Sequence, residues 1–471
     1  MTKNKNEKLP KELINIALVL VLGAIAPMLD TTMVNIAVNK FGTDFHTSLD
    51  VIQWVITGYV LATGIAVPFS GWLINRFDGK HIYLAAEFLF LVSSILSGIS
   101  WNIDSLIIFR IIQGFSAGLI IPLLTTLLVQ TAGQENMGKL MSIVGLPIIL
   151  GPILGPVIGG GIVEYTSWRW IFFINIPIGL IALFFIYKKL PNFAASNKGA
   201  KLDWLGVILL GGLSASYIYG ITQAASGSGF TNSKTIGFIL LGLLLTIVYV
   251  IYALLKSKKV ILPLSLFKYK SFTASIVALF LAGIGTNGPM LLLPLFFQNI
   301  RHDSVILAGL SLIPQGLGML VARPMIGKLT DKIGAKLVVV VAIVITLIGT
   351  VPFLWFSQSA DYWLIGAVLF IRGIGVGGIT IPVMTDSYTG LSRSQIPQAS
   401  IATRIIQNIG GAFGSALLAT VVANQMMNVA PNLTHLTSAY QTAFLVANIL
   451  TVVMFIPALF LTNKAKRKAK G

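Results

Sequence analysis

Cysteine is absent from the 471 residues, and charged side chains make up only 10% of them. Without cysteine the chain cannot form disulfide bonds, Cys-ligated zinc sites or a catalytic thiol. The four histidines lie near predicted loops or helix ends, which argues against a metal centre. A typical soluble domain carries about 25% charged residues. This chain, 55% hydrophobic, has too little polar surface to coat a water-soluble globule, which excludes soluble enzymes and nucleic-acid-binding proteins and predicts an integral membrane protein.

Long apolar runs occupy well over half of the sequence. A helix needs about 20 residues to cross the apolar core of a bilayer. Fourteen candidate runs cover residues 13–37, 51–73, 82–100, 105–129, 140–163, 169–187, 204–222, 235–255, 273–297, 305–326, 337–356, 362–388, 400–423 and 440–461. The stretches between them are too short for a separate soluble domain. The predicted fold class is therefore an all-α membrane protein with 14 transmembrane helices.

Basic residues outnumber acidic ones, 33 to 15. With the N-terminus placed in the cytoplasm, 26 of the 33 fall in inner segments, four in outer segments and three inside spans. Lysine and arginine favour cytoplasmic loops, so this bias predicts a multi-pass plasma-membrane protein with both termini cytoplasmic. The basic balance then reflects topology and attraction to anionic inner-leaflet lipid, not a nucleic-acid partner. The first span lacks a small-residue cleavage site and is expected to be a retained helix rather than a signal peptide.

Two motifs recur at nearly the same offset. Gly71–Arg76, after span 2, is echoed 256 positions later by Gly327–Gly334, after span 10. Gly118–Pro122, in span 4, is echoed 260 positions later by Gly378–Pro382, in span 12. The repeat predicts two pseudo-symmetric six-helix bundles with a binding site between them, an architecture used by rocking transporters. The predicted units are an N-terminal bundle (1–190, spans 1–6), two inserted helices with linkers (191–260, spans 7 and 8), and a C-terminal bundle with a basic tail (261–471, spans 9–14).

Six motifs, in order, carry a resemblance to a known family. They are Leu29–Ala37, Gln53–Tyr59, Leu106–Gly118, Gly151–Gly160, Trp168–Gly179 and Asp203–Gly206. Together they resemble the signatures of the fourteen-span drug:H⁺ antiporters of the major facilitator superfamily, the DHA2-type multidrug efflux proteins. The resemblance covers nearly the whole chain. It implies a fold of two six-helix bundles plus two inserted helices.

The same resemblance implies a function. We expect proton-coupled efflux of lipophilic, cationic or zwitterionic small molecules by alternating access, in a secondary transporter rather than an enzyme. No phosphate loop of the GxxxxGK[ST] type is present, so no cofactor is expected and the H⁺ gradient rather than ATP supplies the energy. The expected partners are lipophilic substrates, protons and membrane lipid, and the protein is expected to be a monomer. Export of a lipid or specific metabolite, or a non-transport membrane enzyme or scaffold, are the alternatives.

Inserting an ionisable side chain near the centre of a membrane span costs about 2.5–3.5 kcal/mol, so each such residue is expected to have a structural or functional role. Asp30 is the only acid predicted deep in a span, about two turns from the outer end of span 1, whereas Glu87 is predicted about one and a half turns from an inner end. Arg110 enters span 4 from the outside to a similar depth as Asp30. We predict that Asp30 and Arg110 form a coupled pair in which Asp30 exchanges its proton for substrate. Alternatively, Arg110 only fastens span 4 to backbone carbonyls while Asp30 titrates alone.

Three further groups of residues are assigned by position and resemblance. The substrate cavity is predicted to include Asn35, Gln53, Trp54, Tyr59, Gln113, Asn287 and Arg372, although Arg372 could instead pair with helix carbonyls or a polar neighbour. The antiporter motif contributes Gly151, Pro152, Gly155, Pro156, Gly159 and Gly160, predicted as a hinge and seal between the halves, or as simple tight packing. The cytoplasmic gate is predicted at Gly71, Asn75, Arg76, Asp78, Gly327, Asp331, Lys332 and Gly334.

The first gate loop departs from the family pattern. The family usually has an aspartate where this chain has Asn75, and a glycine where it has Asp78. The second copy keeps both residues, as Asp331 and Gly334. Whether Asp78 replaces the missing acid is left open by the sequence.

Overall fold

The computed structural model describes residues 10–47, 49–132, 151, 154–155, 157–195, 198–199, 201–224, 229–256, 260–392, 395–426 and 432–463. Within these residues, 13 helices are long and apolar enough to cross a membrane. They coincide with 13 of the 14 predicted spans, and no strand is present in the ranges given. Most of the remaining predicted span, 140–163, lies outside the described residues.

Besides the short α-helices Val38–Phe45, Trp170–Phe173, Val305–Ser311 and Phe455–Ala458, fourteen longer helical elements follow one another along the described chain. They are α1 (Lys11–Met33), α2 (Leu49–Arg76), α3 (Gly79–Gly98), α4 (Ile103–Ala132), α5 (157–165, with 151 and 154–155 also helical), α6 (Asn175–Lys189), α7 (Trp204–Gln223), α8 (Ser233–Lys256), α9 (Lys270–Ile300), α10 (Ile313–Ile333), α11 (Ala335–Ile348), α12 (Tyr362–Ser387), α13 (Ile396–Met426) and α14 (Leu433–Val453). The all-α fold class is confirmed.

Several acidic and amide side chains mark where helices begin. The carboxylate of Asp78 accepts from the backbone N–H of Lys80 at 2.9 Å at the start of α3. Asp203 and Asp361 cap α7 and α12 in the same way. Such side chains satisfy backbone N–H groups that the first turn leaves unpaired. These acids therefore have a structural role at helix ends.

Helices of the first half pack mainly on one another. In this half, α4 contacts α1, α2 and α3, and α6 contacts α1 and α3. In the second half, α12 contacts α9, α10 and α11, while α9 contacts α13 and α14. The α2–α4 and α10–α12 pairs occupy equivalent places in the predicted repeat. The domain boundaries at residues 190 and 260 stay a prediction, because helix contacts do not fix them.

The inserted helices differ from each other in burial. Helix α7 packs against α2 of the first half and α13 of the second, as well as against α8. Only 17% of the most apolar stretch of helix α8 is buried inside the protein, the lowest share among the candidate spans. Because its exposed face is apolar, α8 is suited to contact lipid. Helix α7 therefore bridges the halves, and α8 covers α7 from outside.

Candidate functional site

Asp30 and Arg110 lie side by side in the interior of the first half. The Asp30 side chain is fully buried, and Arg110 is 1% exposed. Nη1 of Arg110 donates to Oδ2 of Asp30, forming an ion pair between α1 and α4. A buried carboxylate and guanidinium are tolerated in an apolar interior only when they compensate each other. The structure thus brings together the two residues that the sequence singles out.

Two amides bind the other oxygen of Asp30. Oδ1 accepts from Nε2 of Gln113 at 3.1 Å and from Nδ2 of Asn175 at 3.2 Å. The same two nitrogens donate to the hydroxyl of Ser94, at 2.7 and 3.4 Å. Ser94 in turn donates to the backbone carbonyl of Phe90 at 2.8 Å. Helices α1, α3, α4 and α6 are therefore joined by one buried polar network around the Asp30 carboxylate.

Arg110 is also fixed by groups other than Asp30. Its Nε donates to the carbonyl of Val55 at 3.3 Å, and Nη1 donates to Oε1 of Gln113 at 2.7 Å. Its guanidinium carbon lies 4.1 Å from the centroid of the Tyr59 ring, a cation–π distance. Arg110 pairs with Asp30 and also bonds to a helix carbonyl, so this conformation is not the alternative in which Arg110 binds carbonyls only. The exchange of a proton at Asp30 stays a prediction. Without Asp30, the guanidinium would still be held to α2 and α4.

Small residues bring α4 close enough to α2 for these contacts. A Cβ at Gly114 would collide with the backbone of Tyr59, and one at Gly118 would lie 2.8 Å from the Cα of Thr63. The Thr63 hydroxyl bridges the gap by donating to the Gly114 carbonyl at 3.0 Å. Close backbone approach at glycine is a common way of packing helices in membranes. Gly114 lies one turn after Arg110 and so sets the depth of its side chain.

The glycines of the antiporter motif pack against α1 beside Asp30. A Cβ at Gly151 would lie 2.8 Å from the Met28 carbonyl, and one at Gly155 would collide with the Thr32 hydroxyl. That hydroxyl donates to the Gly151 carbonyl at 3.0 Å. These contacts stay within the first half and support tight packing, whereas the hinge role stays a prediction. Of the other motif residues, Gly159 lies against Met33, Gly160 is buried, and Pro152 and Pro156 lie outside the described residues.

The second half repeats the arginine without the acid. Arg372, on α12, is 262 positions after Arg110 and is also 1% exposed. Its Nη1 donates to Oε1 of Gln315 at 2.7 Å, and its Nη2 donates to the carbonyl of Gly285 at 3.3 Å. Arg372 thus bonds to a polar neighbour and a helix carbonyl, as one of the two expectations had it. Neutral acceptors stand where the first half has a carboxylate, so the two halves differ in charge.

Two further predicted cavity residues with described side chains, Asn35 and Trp54, lie outside the Asp30 network. Asn35 is exposed in the short helical turn Val34–Ala37 after α1. The Trp54 ring stacks on that of Tyr219 of α7, with centroids 5.7 Å apart. The side chains of Gln53 and Asn287 lie outside the described residues. Among the predicted cavity residues whose side chains the structure describes, Tyr59 and Gln113 contact the ion pair.

The predicted gate residues lie at the ends of α2 and α10. Gly71 is buried against Ile401 of α13, where a Cβ would collide with that side chain. Gly334 ends α10 with φ of 92°, a backbone conformation that favours glycine. The side chain of Asp78 caps the start of α3. Replacement of the missing gate acid by Asp78 stays a prediction. In the last turns of the two helices lie Asn75, Arg76, Asp331 and Lys332, and Gly327 is buried one turn earlier.

Three polar residues of this region were not predicted from the sequence to belong to a site. Ser94 and Asn175 belong to the Asp30 network, and Glu87 is fully buried in α3. Asn175 falls within a motif used for the family resemblance, but nothing in its spacing pointed to Asp30. Position in a span was the only available signal, and it does not separate a neutral side chain that binds a carboxylate from one that binds its own helix.

The fold and this network define a multi-pass membrane protein with two related helical halves and a buried ion pair in the first. Residues 20–415 match the model of the Major Facilitator Superfamily, and the chain belongs to that family. A multidrug resistance protein B homolog of Mycobacterium tuberculosis is 29% identical, covering 97% of this chain and 92% of the relative. The multidrug export protein EmrB of Haemophilus influenzae is 30% identical over 86% of this chain and 79% of its own length.

Solved structures agree on the fold. The proton:xylose symporter XylE, bound to 6-bromo-6-deoxy-D-glucose, has a TM-score of 0.64, covers 94% of this chain and 96% of its own, and is 16% identical. At this identity the likeness concerns the fold and not the substrate. Family membership makes the chain a transporter rather than an enzyme. The named relatives confirm the predicted resemblance to the multidrug efflux proteins of this family.

Proposed function

We propose that this protein is a proton-coupled exporter of lipophilic, cationic or zwitterionic small molecules, driven by the H⁺ gradient without ATP or another cofactor. The observation that carries the proposal is the buried Asp30–Arg110 pair, the place where a proton can compete with a cation for one carboxylate. The names of the relatives, multidrug resistance and multidrug export proteins, support the substrate class. The proposed setting is the plasma membrane, with both termini cytoplasmic and the protein acting as a monomer among its lipids.

The exchange step follows from the groups around Asp30. A proton arriving on Oδ2 neutralises the carboxylate and removes the attraction that holds α1 to the guanidinium of Arg110. Arg110 keeps its bonds to the Val55 carbonyl and to Gln113, so the cation stays with α2 and α4 while α1 is released. Substrate binding at the inner side favours loss of this proton, and protonation from the outside resets the carrier. The two protonation states thus differ in a helix contact, which is what a rocking mechanism requires.

Energetics constrain the exchange. A pH difference of one unit supplies about 1.4 kcal/mol per proton. The membrane potential adds about 2.3 kcal/mol per 100 mV for each net charge that crosses. One proton exchanged for one monovalent cation moves no net charge and would depend on pH alone. Export of a neutral molecule for one proton would respond to both.

Asp30→Asn in proteoliposomes tests the proposal. With an imposed pH gradient, the wild-type protein should move a fluorescent lipophilic cation such as ethidium, and collapse of the gradient should stop transport. Asn keeps the shape of the side chain but cannot exchange a proton, so gradient-driven transport should fall to the level of empty vesicles. Asp104→Asn is the matched control, because Asp104 is exposed in the first turn of α4. Full gradient-driven transport by Asp30→Asn would refute the proposal.

A further inference from the structure

A second acid is buried in the first half, apart from the Asp30 network. The side chain of Glu87, in α3, has no exposed surface, and neither of its carboxyl oxygens has a hydrogen-bond partner. A carboxylate without donors or a counter-ion is very costly in an apolar interior, and such a group takes up a proton instead. The predicted position of Glu87, about one and a half turns from an inner helix end, does not account for this burial.

The groups that face Glu87 leave it without compensation. Gly23 of α1 lies so close that a Cβ there would collide with Oε1 of Glu87. The hydroxyl of Tyr83, one turn earlier on α3, donates to the Leu20 carbonyl at 2.6 Å and not to Glu87. No charged side chain of the described ranges pairs with Glu87. Those on its own helix and on the helices around it include Asp30, Arg76, Lys80, Arg110, Lys188 and Lys189.

Glu87 and Asp30 lie on matching faces of neighbouring helices. Asp30 follows Gly23 by seven residues on α1, and Ser94 follows Glu87 by seven residues on α3. Seven residues are two helical turns, about 10 Å along the axis. Ser94 binds both amides that hold Asp30. Glu87 therefore lies about two turns from the Asp30 network, towards the end of the molecule where α3 begins.

The two carboxyl groups have opposite surroundings. Asp30 accepts hydrogen bonds from a guanidinium and two amides. Glu87 has no donor at all, which stabilises its neutral form. Paired acids whose environments differ in this way take different roles in proton chemistry.

We propose that Glu87 is a second proton-binding site, protonated in this conformation, and that it carries the second proton of each exchange cycle. When the bundles rock, its proton leaves the carboxyl oxygen for water on the side where α3 begins, and the site is reloaded from the Asp30 side. The second proton rests on the proposed function, because it presumes proton-coupled exchange. The neutral state of Glu87 in this conformation stands on the geometry alone.

The second proton has an electrical consequence. Exchange of two protons for one monovalent cation moves one net charge, whereas exchange of one proton moves none. A potential of 100 mV acting on one charge changes the limiting accumulation ratio by about 50-fold. Wild-type transport of a monovalent lipophilic cation should therefore respond to voltage, and Glu87→Gln should remove that response while keeping the response to the pH gradient.

The experiment uses full-length protein in vesicles with the potential and the pH gradient set independently. Glu164→Gln is the matched control, since Glu164 is exposed at the end of α5, and it should keep the wild-type voltage response. An electroneutral wild type, or a Glu87→Gln variant with an unchanged voltage response, would overturn the proposal. Failure of the proposed function has a different signature, namely gradient-driven transport that survives Asp30→Asn.

An infrared measurement tests the neutral carboxyl without transport. The wild-type protein should show the carbonyl band of a protonated carboxylic acid at neutral pH, and this band should be lost in Glu87→Gln and kept in Glu164→Gln. Identical bands in wild type and Glu87→Gln would overturn the proposal. Loss of folded protein in Glu87→Gln would also contradict it, because glutamine has nearly the shape of the neutral acid.

Discussion

A double-mutant cycle measures how strongly Asp30 and Arg110 stabilise each other. Arg110→Met leaves the Asp30 carboxylate with two amide donors and no counter-ion, and Asp30→Asn leaves the guanidinium without an anion. Removing one partner of a buried ion pair costs about 3–5 kcal/mol, most of it from the charge left behind. We therefore expect each single variant to lose about 3–5 kcal/mol of unfolding free energy.

The double variant should lose far less than the sum. With both charges gone, no ion is left uncompensated, so the double variant should lose less than either single variant. The coupling energy, which is the sum of the two single losses minus the double loss, should then be larger than about 3–5 kcal/mol, well above the value near zero expected for independent sites. Charge, rather than the shape of either side chain, would then account for the loss in the single variants.

Unfolding in mixed micelles, titrated with a denaturing detergent and followed by circular dichroism, measures these free energies. Asp104→Asn serves as the control, because a change at an exposed position should stay within about 0.5 kcal/mol of wild type. Additive losses in the double variant, or single variants as stable as wild type, would show that the pair is not an energetic unit. The physical basis of the coupling would then have to be abandoned.

Two further predictions concern packing and the second half. Gly155→Ala should lower the unfolding free energy in detergent by about 1–3 kcal/mol, because the added Cβ would overpack against Thr32. Gly161→Ala is the control and should be neutral, because its Cβ would meet nothing within 4 Å. Equal losses in the two variants would contradict the packing of α5 on α1. Arg372→Met leaves no anion without its counter-ion, because the group that loses its donor is the neutral amide oxygen of Gln315. The unfolding free energy should therefore fall by about 1–3 kcal/mol, less than for Arg110→Met. An equal or larger loss would mean that an acid compensates this arginine.

The ion pair could be predicted because charges are rare and costly in spans. Only one acid was predicted to lie deep in an apolar run, and one arginine lay at the same depth, so each was the natural partner of the other. Asn175 and Ser94 could not be chosen in this way. Neutral polar residues are common in transmembrane helices, and which of them turn towards Asp30 depends on how α3 and α6 pack around α1.

Glu87 shows how depth read from hydropathy can mislead. Counting from the apolar run at 82–100 placed it about one and a half turns from a helix end. The helix in fact begins at Gly79, because Asp78 caps it, and Glu87 lies eight residues inside. Polar residues at a capped start are part of the helix although they lower the local hydropathy. Burial by Gly23 and Tyr83, which follows from the packing of α1 on this face, was not visible in the sequence.

The sequence by itself determined the membrane class, the positions of the 13 spans that the structure describes, the two related halves and the asymmetric placement of charge. These follow from the cost of moving polar groups and charges into hydrocarbon, which acts residue by residue along the chain. Only the tertiary structure decided which side chains satisfy Asp30, that Arg372 faces neutral acceptors, and that Glu87 is left without a partner. Hydrogen bonding depends on directions and distances of a few ångströms between helices far apart in the chain, and these are fixed only when the helices pack.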